Sequence, residues 1–313
     1  MNPKISVLMS VYNGQAYLKE AIDSILNQTF TDFEFVIIND ASTDRSKEII
    51  KTYDDIRIVL INNKDNIGLT KSLNKGINIA EGKYIARMDA DDISNLSRLE
   101  KQYNFLEGNP EYSIVGSNIQ LIDKNGNNLE IAKYPEDYEE IMGYIFFANP
   151  MVHSSVMFKT EDAENIGGYN INHKKAQDYG FWFKFIEQGL KLYNIQEPLV
   201  KYRVHNESIS IKNSEDQDKT AQRILIEAFS SILGIKIGKK ESNYIRHASN
   251  LNPVQGYMLY NFICNANIAF RRKFPDLKLS QDIFAHHSIN LLKDERYRSL
   301  FRKNIIDKYA KPN

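Results

Sequence analysis

The sequence predicts an α/β protein whose N-terminal part is a mostly parallel sheet flanked by helices. Four short apolar runs, each typical of a buried strand, alternate with segments whose apolar residues recur at helical spacing. Such alternation favours a parallel sheet with helices on both faces. Tyr12, Asp40 and the cluster 89–92 each follow the end of a predicted strand. Because ligands bind beyond the carboxyl ends of such strands, these segments predict one crevice.

The elements of the first 110 residues follow in order from these patterns. Asn13-Gly14 ends the first apolar run, and helical periodicity follows it. Ser42 and Thr43 are good N-caps, so we expect the second helix to begin there. Gly82 ends the third helix. The predicted strands are 5–11, 34–38, 57–61 and 84–86, and the predicted helices are 17–26, 42–50 and 69–79.

After residue 110 the pattern changes to mixed α+β, which we expect to complete the sheet. Asn125-Gly126 predicts a hairpin turn, and Gly189 predicts a helix end. Polar residues 208–218 predict a linker to a helical module. The predicted strands are 113–115, 118–122, 153–158 and 199–205, and the predicted helices are 141–147, 179–188, 224–232, 253–270 and 283–309.

The composition is that of an ordinary folded protein and excludes a disordered or collagen-like chain. The 40 Lys and Arg balance the 40 Asp and Glu, so no net charge favours nucleic acid. From residue 214 onward, 17 basic residues stand against 10 acidic ones, which suggests a second module. Cys264 is the single cysteine and fits a reducing compartment. Since we expect neither a signal peptide nor a membrane span, we predict a cytoplasmic protein.

Three carboxylates occupy four positions in Asp89-Ala90-Asp91-Asp92, directly after the fourth predicted strand. Carboxylates this close raise one another's pKa unless a cation compensates them. Oxygen-rich sites suit Mg²⁺ or Mn²⁺, which share their remaining positions with waters and substrate phosphates. The spacing therefore predicts a divalent ion and a diphosphate. The alternative is that Asp91 and Asp92 favour the start of a helix at Ile93.

Asp40 follows the second predicted strand, in the segment 39–44. Its carboxylate could accept a hydrogen bond from a nucleobase N–H. An Asx-turn or a helix cap explains an aspartate at such a position equally well, and Asp44 fits that role. Both hypotheses stay open from the residues alone.

A linked set of motifs over roughly residues 3–210 resembles the family 2 inverting glycosyltransferases with the GT-A fold. The subgroup to which it is similar makes capsule, lipopolysaccharide or other surface glycans in bacteria. The motifs are Ser10-Val11-Tyr12-Asn13-Gly14, 39–44, Asn66-Ile67-Gly68-Leu69, 80–86, 88–92, 149–158, Gly167-Gly168-Tyr169, 177–182 and Tyr202-Arg203-Val204-His205. The resemblance implies a GT-A nucleotide-sugar-binding fold, with a C-terminal helical module outside the matched part.

The resemblance also implies roles at the matching positions. Asp178 would be the catalytic base, although Gln177 stands where relatives carry Glu. Asp91, together with Asp89, would hold Mn²⁺ or Mg²⁺ at the diphosphate. Lys71 would contact a phosphate, because the basic residue that many relatives carry two positions later is missing. The residues implied to line the nucleotide-sugar site are Ser10, Val11, Tyr12, Asp40, Lys71, Asp89, Ala90, Arg203 and His205.

Each of these roles has a plainer alternative. Asp178 could cap the helix predicted at 179, and Lys71 could be a solvated lysine. Arg203 and His205 could belong to a surface strand of alternating polarity. His153 is more typical of a satisfied, half-buried histidine than of a ligand.

The implied reaction is a single displacement, in which one carboxylate takes the proton of the acceptor hydroxyl and cations stabilise the leaving diphosphate. The donor would be a nucleotide-sugar, UDP-linked, and the acceptor a glycan or a lipid-linked molecule. The rival hypotheses are a catalytically inactive nucleotide-sugar-binding regulator and a sugar nucleotidyltransferase. The second rival lacks its glycine-rich phosphate loop after the first predicted strand.

We expect residues 1–213 to form the glycosyltransferase domain, with a nucleotide-binding half at 1–110 and an acceptor half at 111–213. Residues 214–313 would form the helical module. Basic residues interleaved with apolar ones predict peripheral contact of this module with the inner face of the cell membrane. A helical packing or dimerisation module is the alternative, and the basic residues are too sparse for nucleic acid.

Overall fold

A computed structural model describes residues 2–205, 214–247, 251 and 253–278. The chain divides into two compact units. The first comprises Met1–Asp137 and Met151–Thr220, and the second comprises Tyr138–Pro150 and Ala221–Asn313. Segment Tyr138–Pro150 thus groups with the C-terminal residues, although the sequence placed it in the acceptor half. The division into functional domains stays a prediction.

One sheet runs through the first unit. Its strands are β1 (Ile5–Val11), β2 (Phe33–Asn39), β3 (Ile58–Asn62), β4 (Tyr84–Met88), β5 (Ile93–Ser94), β6 (Tyr112–Ile122), β7 (Asn128–Ala132), β8 (Met157–Lys159) and β9 (Lys191–Arg203). Their order is β3-β2-β1-β4-β8-β6-β9-β5, and β7 pairs with β6. The four strands β1 to β4 are parallel, as the alternation predicted. From β8, which is antiparallel to β4, the sheet becomes mixed.

Helices pack on both faces of the parallel half. The helices of the first unit are α1 (Leu18–Leu26), α2 (Ser46–Lys51), α3 (Leu69–Ile79), α4 (Arg98–Gly108), α6 (Thr160–Asn165) and α7 (Gln177–Glu187). Alternate strand residues such as Val7 and Phe35 pack with Ile22 of α1 and Leu99 of α4 in one buried cluster. The next residue, Leu8, faces the other way and meets α3. Because strand side chains alternate between faces, this assigns α1 and α4 to one face and α3 to the other.

The strands predicted after residue 110 differ from the observed ones; β9, for example, begins at Lys191 and not at 199. Residues 113–115 and 118–122 form the single strand β6, because Gly116 and Ser117 continue it against β9. A Cβ on Gly116 would lie 2.3 Å from Asn194 Oδ1 of β9. The glycine therefore allows the two strands to approach closely and does not end the strand. In the predicted strand 153–158, residues His153–Ser155 form a 3₁₀ turn, and β8 follows it. The Ser155 hydroxyl donates to the Val152 carbonyl at 2.9 Å, which favours a turn over a strand.

The second unit is helical in its described residues. It contains α5 (Tyr138–Tyr144), most of α8 (Ser214–Leu233), α9 (Lys239–Arg246) and α10 (Pro253–Lys273). Phe146 packs edge-on against Phe229 of α8 and Phe270 of α10, at centroid distances of 5.1 and 6.3 Å. The predicted linker is partly wrong, because α8 already begins at Ser214. Residues 208–213 of that linker and the predicted helix 283–309 lie outside the described residues.

Among the described helices, none combines the length and the apolar character needed to cross a membrane. The basic end of α10, at Arg271 to Lys273, is exposed. The other basic residues on which the membrane prediction rests lie outside the part that the structure describes; they are Arg296, Arg298, Arg302, Lys303, Lys308 and Lys311. Peripheral membrane contact therefore stays a prediction.

Candidate active site

The carboxyl ends of β1, β2 and β4 lie side by side, because β1 pairs with β2 on one side and with β4 on the other. Tyr12 follows β1, Asp40 follows β2 and Asp89 follows β4. The Asp40 N–H donates to the Val11 carbonyl at 2.8 Å and extends the contact of β1 with β2. The structure thus brings three separate segments to one edge of the sheet.

Hydrogen bonds of Asn13 fix the loops that follow β1 and β2. Its N–H donates to Ser42 Oγ at 3.0 Å, and its side-chain oxygen accepts from the Thr43 N–H at 2.8 Å. The prediction that Ser42 or Thr43 caps the second helix is therefore wrong, and α2 begins after Arg45. Asn13 and Ala41 have φ angles of 52° and 58°, a left-handed conformation that is strained for alanine. Backbone strain of this kind is concentrated at functional sites.

Asp40 is buried, and protein groups already contact its carboxylate. It accepts hydrogen bonds from Asn63 Nδ2 at 2.7 Å, the Ile67 N–H at 3.0 Å and the Gly68 N–H at 2.9 Å. A carboxylate has about four acceptor positions, and these contacts occupy three of those of Asp40. These partners lie 23 to 28 positions away, so the carboxylate forms neither an Asx-turn nor a cap of α2, and it holds the loop before α3 instead. The nucleobase contact stays a prediction.

The other residues predicted to line the nucleotide site lie at or near the same edge. Tyr12 is 52 % exposed beside the loops that Asn13 holds, whereas Val11 is buried in β1. Ser10 and Ala90 are half-buried. Lys71 is exposed on α3. Contacts of these residues with a nucleotide stay predictions.

The acid cluster after β4 has the geometry of a cation site. Carboxylate oxygens of Asp89, Asp91 and Asp92 all lie within 4.8 Å of one another. The hypothesis of a helix starting at Ile93 is wrong, because Ile93–Ser94 is strand β5 and pairs with β9. The carboxylates therefore do not serve to start a helix, and their proximity needs another explanation.

Three cationic or polar partners hold the cluster. Asp89 forms an ion pair with the buried Arg87. Asp91 Oδ2 lies 3.0 Å from His205 Nε2. Asp92 Oδ1 accepts from the backbone N–H of Arg203 at 2.9 Å. Each aspartate thus has a different partner, and two of these partners lie at the end of β9 or just after it.

Three ionised carboxylates would carry more negative charge than these partners offset. Burial raises the pKa of Asp91, and the charge of Asp89 adds to this effect. Burial and the charges of Asp91 and Asp89 raise the pKa of Asp92 well above its ordinary value. A bound dication would stabilise the ionised carboxylates, so the cluster of Asp89, Asp91 and Asp92 fits a divalent metal.

Arg203 was predicted to contact the diphosphate, but its guanidinium lies against protein acceptors. Nε donates to the Asp91 carbonyl at 2.9 Å, and Nη2 donates to Glu20 at 2.5 Å. Its remaining nitrogen faces the carbonyls of the β6–β7 turn at 3.3 and 3.4 Å. The Arg203 side chain is 1 % exposed and lies over the Tyr17 ring at 4.3 Å. Arg203 therefore fixes the loop that carries Asp91, and a direct diphosphate contact stays a prediction.

Replacing Arg203 by methionine should lower the free energy of unfolding by about 2–3 kcal/mol, because buried carbonyls lose their donor. The Asp91 loop also loses its anchor, so Mn²⁺ affinity in the presence of UDP should fall by about 10- to 100-fold. Urea denaturation and calorimetric titration measure the two effects.

Arg57→Met is the matched control for this variant. Arg57 also forms an ion pair, with Asp55 at 2.7 Å, and lies over the Phe33 ring at 4.5 Å, but at the amino end of β3. The Arg57→Met variant should be less stable than the wild type but should bind Mn²⁺ with wild-type affinity. Unchanged ion affinity in Arg203→Met would show that Arg203 supports only the fold.

Asp178 lies in the first turn of α7 and is half-buried. The helix begins at Gln177 with Ala176 at the N-cap, so the hypothesis that Asp178 caps a helix at Tyr179 is wrong. Ala176 has a φ of 51°, so a third strained position lies directly before the helix that carries Asp178. The charges of Asp178 and Asp89 both contribute to the raised pKa of Tyr169.

The sequence reasoning missed residues whose partners are distant in the chain. Arg87 pairs with Asp89. A basic residue inside an otherwise apolar strand was the sequence feature that could have identified it. Lys75 Nζ donates to Asn63 Oδ1 at 2.8 Å, one helical turn after the predicted Lys71. Asn74 contacts the backbone of Tyr169, 95 positions away, and no local sequence pattern predicts this contact.

Comparison with known proteins gives the family. The family model "Glycosyl transferase family 2" matches residues 6–164. An uncharacterized glycosyltransferase of Methanocaldococcus jannaschii, MJ1057, is 43 % identical over 210 residues, which are 65 % of this chain and 72 % of the relative. The O-antigen biosynthesis glycosyltransferase WbnJ of Escherichia coli is 34 % identical over 212 residues, 65 % of this chain and 81 % of the relative.

Solved structures give the fold. The crystal structure of S. aureus TarS 1-349 in complex with UDP superposes with a TM-score of 0.60 at 18 % identity, over 92 % of each chain. The mannosyltransferase PcManGT from Pyrobaculum calidifontis, in complex with GDP-Man and Mn²⁺, superposes with a TM-score of 0.57 at 17 % identity, over 100 % of this chain and 89 % of that one. The fold is therefore the GT-A fold that the sequence predicted. With the family match and the identity to its relatives, the chain belongs to the glycosyltransferases of family 2.

Proposed function

We propose that the protein is a metal-dependent inverting glycosyltransferase that acts in surface polysaccharide synthesis. It moves a sugar from a UDP-linked donor to a glycan or a lipid-linked acceptor. The observation that carries the proposal is the presence of two separate carboxylate sets, the cluster after β4 and Asp178 in α7. One set suits a cation with a diphosphate, and the other suits a base.

The choice of donor follows solved relatives of the same fold. TarS has been solved with UDP and with UDP-GlcNAc, which supports a UDP-linked donor. PcManGT was solved with GDP-Man, so a GDP-linked donor is an outcome that the experiment below distinguishes.

The residues that would hold the ion are Asp91 and Asp89. When bound, the ion would neutralise charge on the leaving diphosphate. Carboxylate ligands suit both Mn²⁺ and Mg²⁺, so the ion would be one of these two. Arg87 and Arg203 keep two of the aspartates in place through the contacts described above.

Asp178 would take the proton of the acceptor hydroxyl while the hydroxyl oxygen attacks the anomeric carbon. The bond from this carbon to the diphosphate oxygen breaks on the opposite face. The configuration of the sugar therefore inverts in one step. Gln177 in place of the usual acid removes a negative charge beside this base, so the acceptor site differs from that of relatives with Glu.

A donor-hydrolysis screen tests the proposal. The purified protein is incubated with UDP-, GDP- and dTDP-sugars and with Mn²⁺, Mg²⁺ or EDTA, and the released nucleoside diphosphate is measured. We expect release from a UDP-sugar with Mn²⁺ and none with EDTA. The anomer of the released sugar, identified by NMR before mutarotation, tests inversion.

Other outcomes of the screen support the rival hypotheses. Full turnover in EDTA would contradict metal dependence. Tight UDP binding without turnover of any donor would favour an inactive regulator. Formation of a nucleotide-sugar from a nucleoside triphosphate and a sugar 1-phosphate would identify a nucleotidyltransferase.

A further inference from the structure

A buried tyrosine, Tyr169, contacts both His153, which precedes β8, and Phe181 of the helix that carries Asp178. It is 2 % exposed, and its hydroxyl lies 2.8 Å from His153 Nε2. His153 precedes β8, which pairs with β4, and the Arg87 N–H donates to the Val156 carbonyl there at 2.9 Å. The Tyr169 hydroxyl is thus tied to the part of the sheet that carries Arg87 and Asp89.

The ring of Tyr169 is tied to the helix that carries Asp178. It stacks on Phe181 at a centroid distance of 4.0 Å and an interplanar angle of 27°. Phe181 stands three positions after Asp178 in α7, so the two side chains lie on neighbouring parts of one helix face. Lys184 of the same helix donates to the Gly168 carbonyl at 2.7 Å and fixes the residue before the tyrosine.

Asn74 of α3 fixes the Tyr169 backbone from a third direction. Its amide donates to the Tyr169 carbonyl at 2.8 Å, and its oxygen accepts from the Tyr169 N–H at 2.8 Å. Gly168 has a φ of 61°, and a Cβ there would lie 2.6 Å from Asn74 Oδ1. Backbone, ring and hydroxyl of Tyr169 are therefore each held by a separate element.

Charged groups of the site shift the pKa values of Tyr169 and of its partner His153. Burial raises the pKa of Tyr169; the positive charge of Arg87 opposes this, and the charges of Asp178 and Asp89 reinforce it. Burial, with the charge of Arg87, lowers the pKa of His153 well below its ordinary value, so the imidazole is neutral. Arg87 Nε is buried and has no hydrogen-bond partner among the described residues. The Tyr169 hydroxyl is therefore a polar group on which the charges of Arg87, Asp178 and Asp89 all act.

We propose that Tyr169 is a positioning residue for the transfer reaction, and that its hydroxyl, held by His153, sets the placement of Asp178 relative to the Arg87–Asp89 pair. This inference rests on the proposed function, in which the two carboxylate sets act on opposite sides of the anomeric carbon. The base must lie within hydrogen-bond reach of the acceptor hydroxyl, and a misplacement of about 1 Å can cost about 100-fold in rate. Tyr169 touches neither the acceptor nor the diphosphate in this role and acts through its neighbours.

Tyr169→Phe tests the proposal because it keeps the ring on Phe181 and removes only the hydroxyl. With the donor and the metal that support wild-type turnover, we expect kcat to fall by about 10- to 100-fold and KM for the donor to stay within about twofold. Calorimetric titration with UDP and Mn²⁺ should give wild-type affinity.

Tyr84→Phe is the matched control. Tyr84 is also buried, and its hydroxyl donates to Glu107 at 2.7 Å, but it begins β4 at the opposite end of the strand from Asp89. The melting temperature of Tyr84→Phe should be equal to that of Tyr169→Phe or lower. Its kcat should nevertheless be that of the wild type. If both variants lost the same fraction of kcat, or if Tyr169→Phe kept the wild-type kcat, the positioning role would be contradicted.

A double-mutant cycle with His153 provides a second test. His153→Gln keeps a polar group for the hydroxyl and should retain more activity than His153→Leu. Combining His153→Leu with Tyr169→Phe should cost no more in kcat than the worse single variant, because both remove one interaction. Additive losses would contradict the proposed pair. Absence of wild-type turnover with every donor would instead contradict the proposed function itself, so the two failures are distinguishable.

Discussion

Replacing Asp178 by asparagine should lower the rate of sugar transfer by about 10²- to 10⁴-fold. Asparagine has nearly the same shape but cannot take a proton from the acceptor hydroxyl. Asp178 lies in the first turn of α7 and outside the acid cluster after β4, so binding of UDP with Mn²⁺ should be unchanged. Turnover of the donor, measured beside calorimetric titration with UDP and Mn²⁺, separates the two effects.

Asp162→Asn is a suitable control for the loss of this carboxylate. Asp162 is also a half-buried aspartate in the first turn of a helix of the first unit, α6. Both variants lose a favourable interaction with a helix N-terminus, which is worth less than about 1 kcal/mol at such positions. If Asp178→Asn kept the rate of Asp162→Asn, Asp178 would not be the base, and another group would have to accept the proton.

The parallel half of the fold was predictable because its signals are local. An apolar run such as 5–11 can be recognised without knowledge of its neighbours, and so can the helical periodicity after it. These local signals also locate the ends of the strands. Because the strands are parallel, they place Asp40 and Asp89 at one edge of the sheet. The mixed half was less predictable, because Gly116 looks like the end of a strand until its contact with Asn194 on β9 is known. Tertiary contacts decide such positions.

The candidate site shows the same limit. Asp91 and Asp178 stand in recognisable motifs, so the sequence identifies them as candidates. Arg203 also stands in a motif, but its guanidinium contacts Glu20, 183 positions away, and the structure alone reveals this. Motifs therefore locate residues in the site, whereas the group that each one contacts depends on long-range geometry.

Replacing Asp91 by asparagine should weaken Mn²⁺ binding in the presence of UDP by at least about 100-fold. Residues that only orient a ligand cost about 10- to 100-fold in metal affinity, so a direct ligand should cost no less. The variant removes a charge from the cluster and changes the partner of His205, which lies 3.0 Å from the Asp91 carboxylate. Donor turnover should fall with ion affinity and recover in part at high Mn²⁺.

Asp54→Asn provides the charge-matched comparison for Asp91→Asn, because Asp54 is exposed in the segment before β3, away from the carboxyl edge of the sheet. It should bind Mn²⁺ and turn over donor as the wild type does, which excludes a general effect of net charge. Wild-type ion affinity in Asp91→Asn would remove Asp91 from the metal site. Wild-type turnover that persists in EDTA would go further, because the clustered carboxylates would then have to be stabilised by Arg87, Arg203 and His205 without an ion.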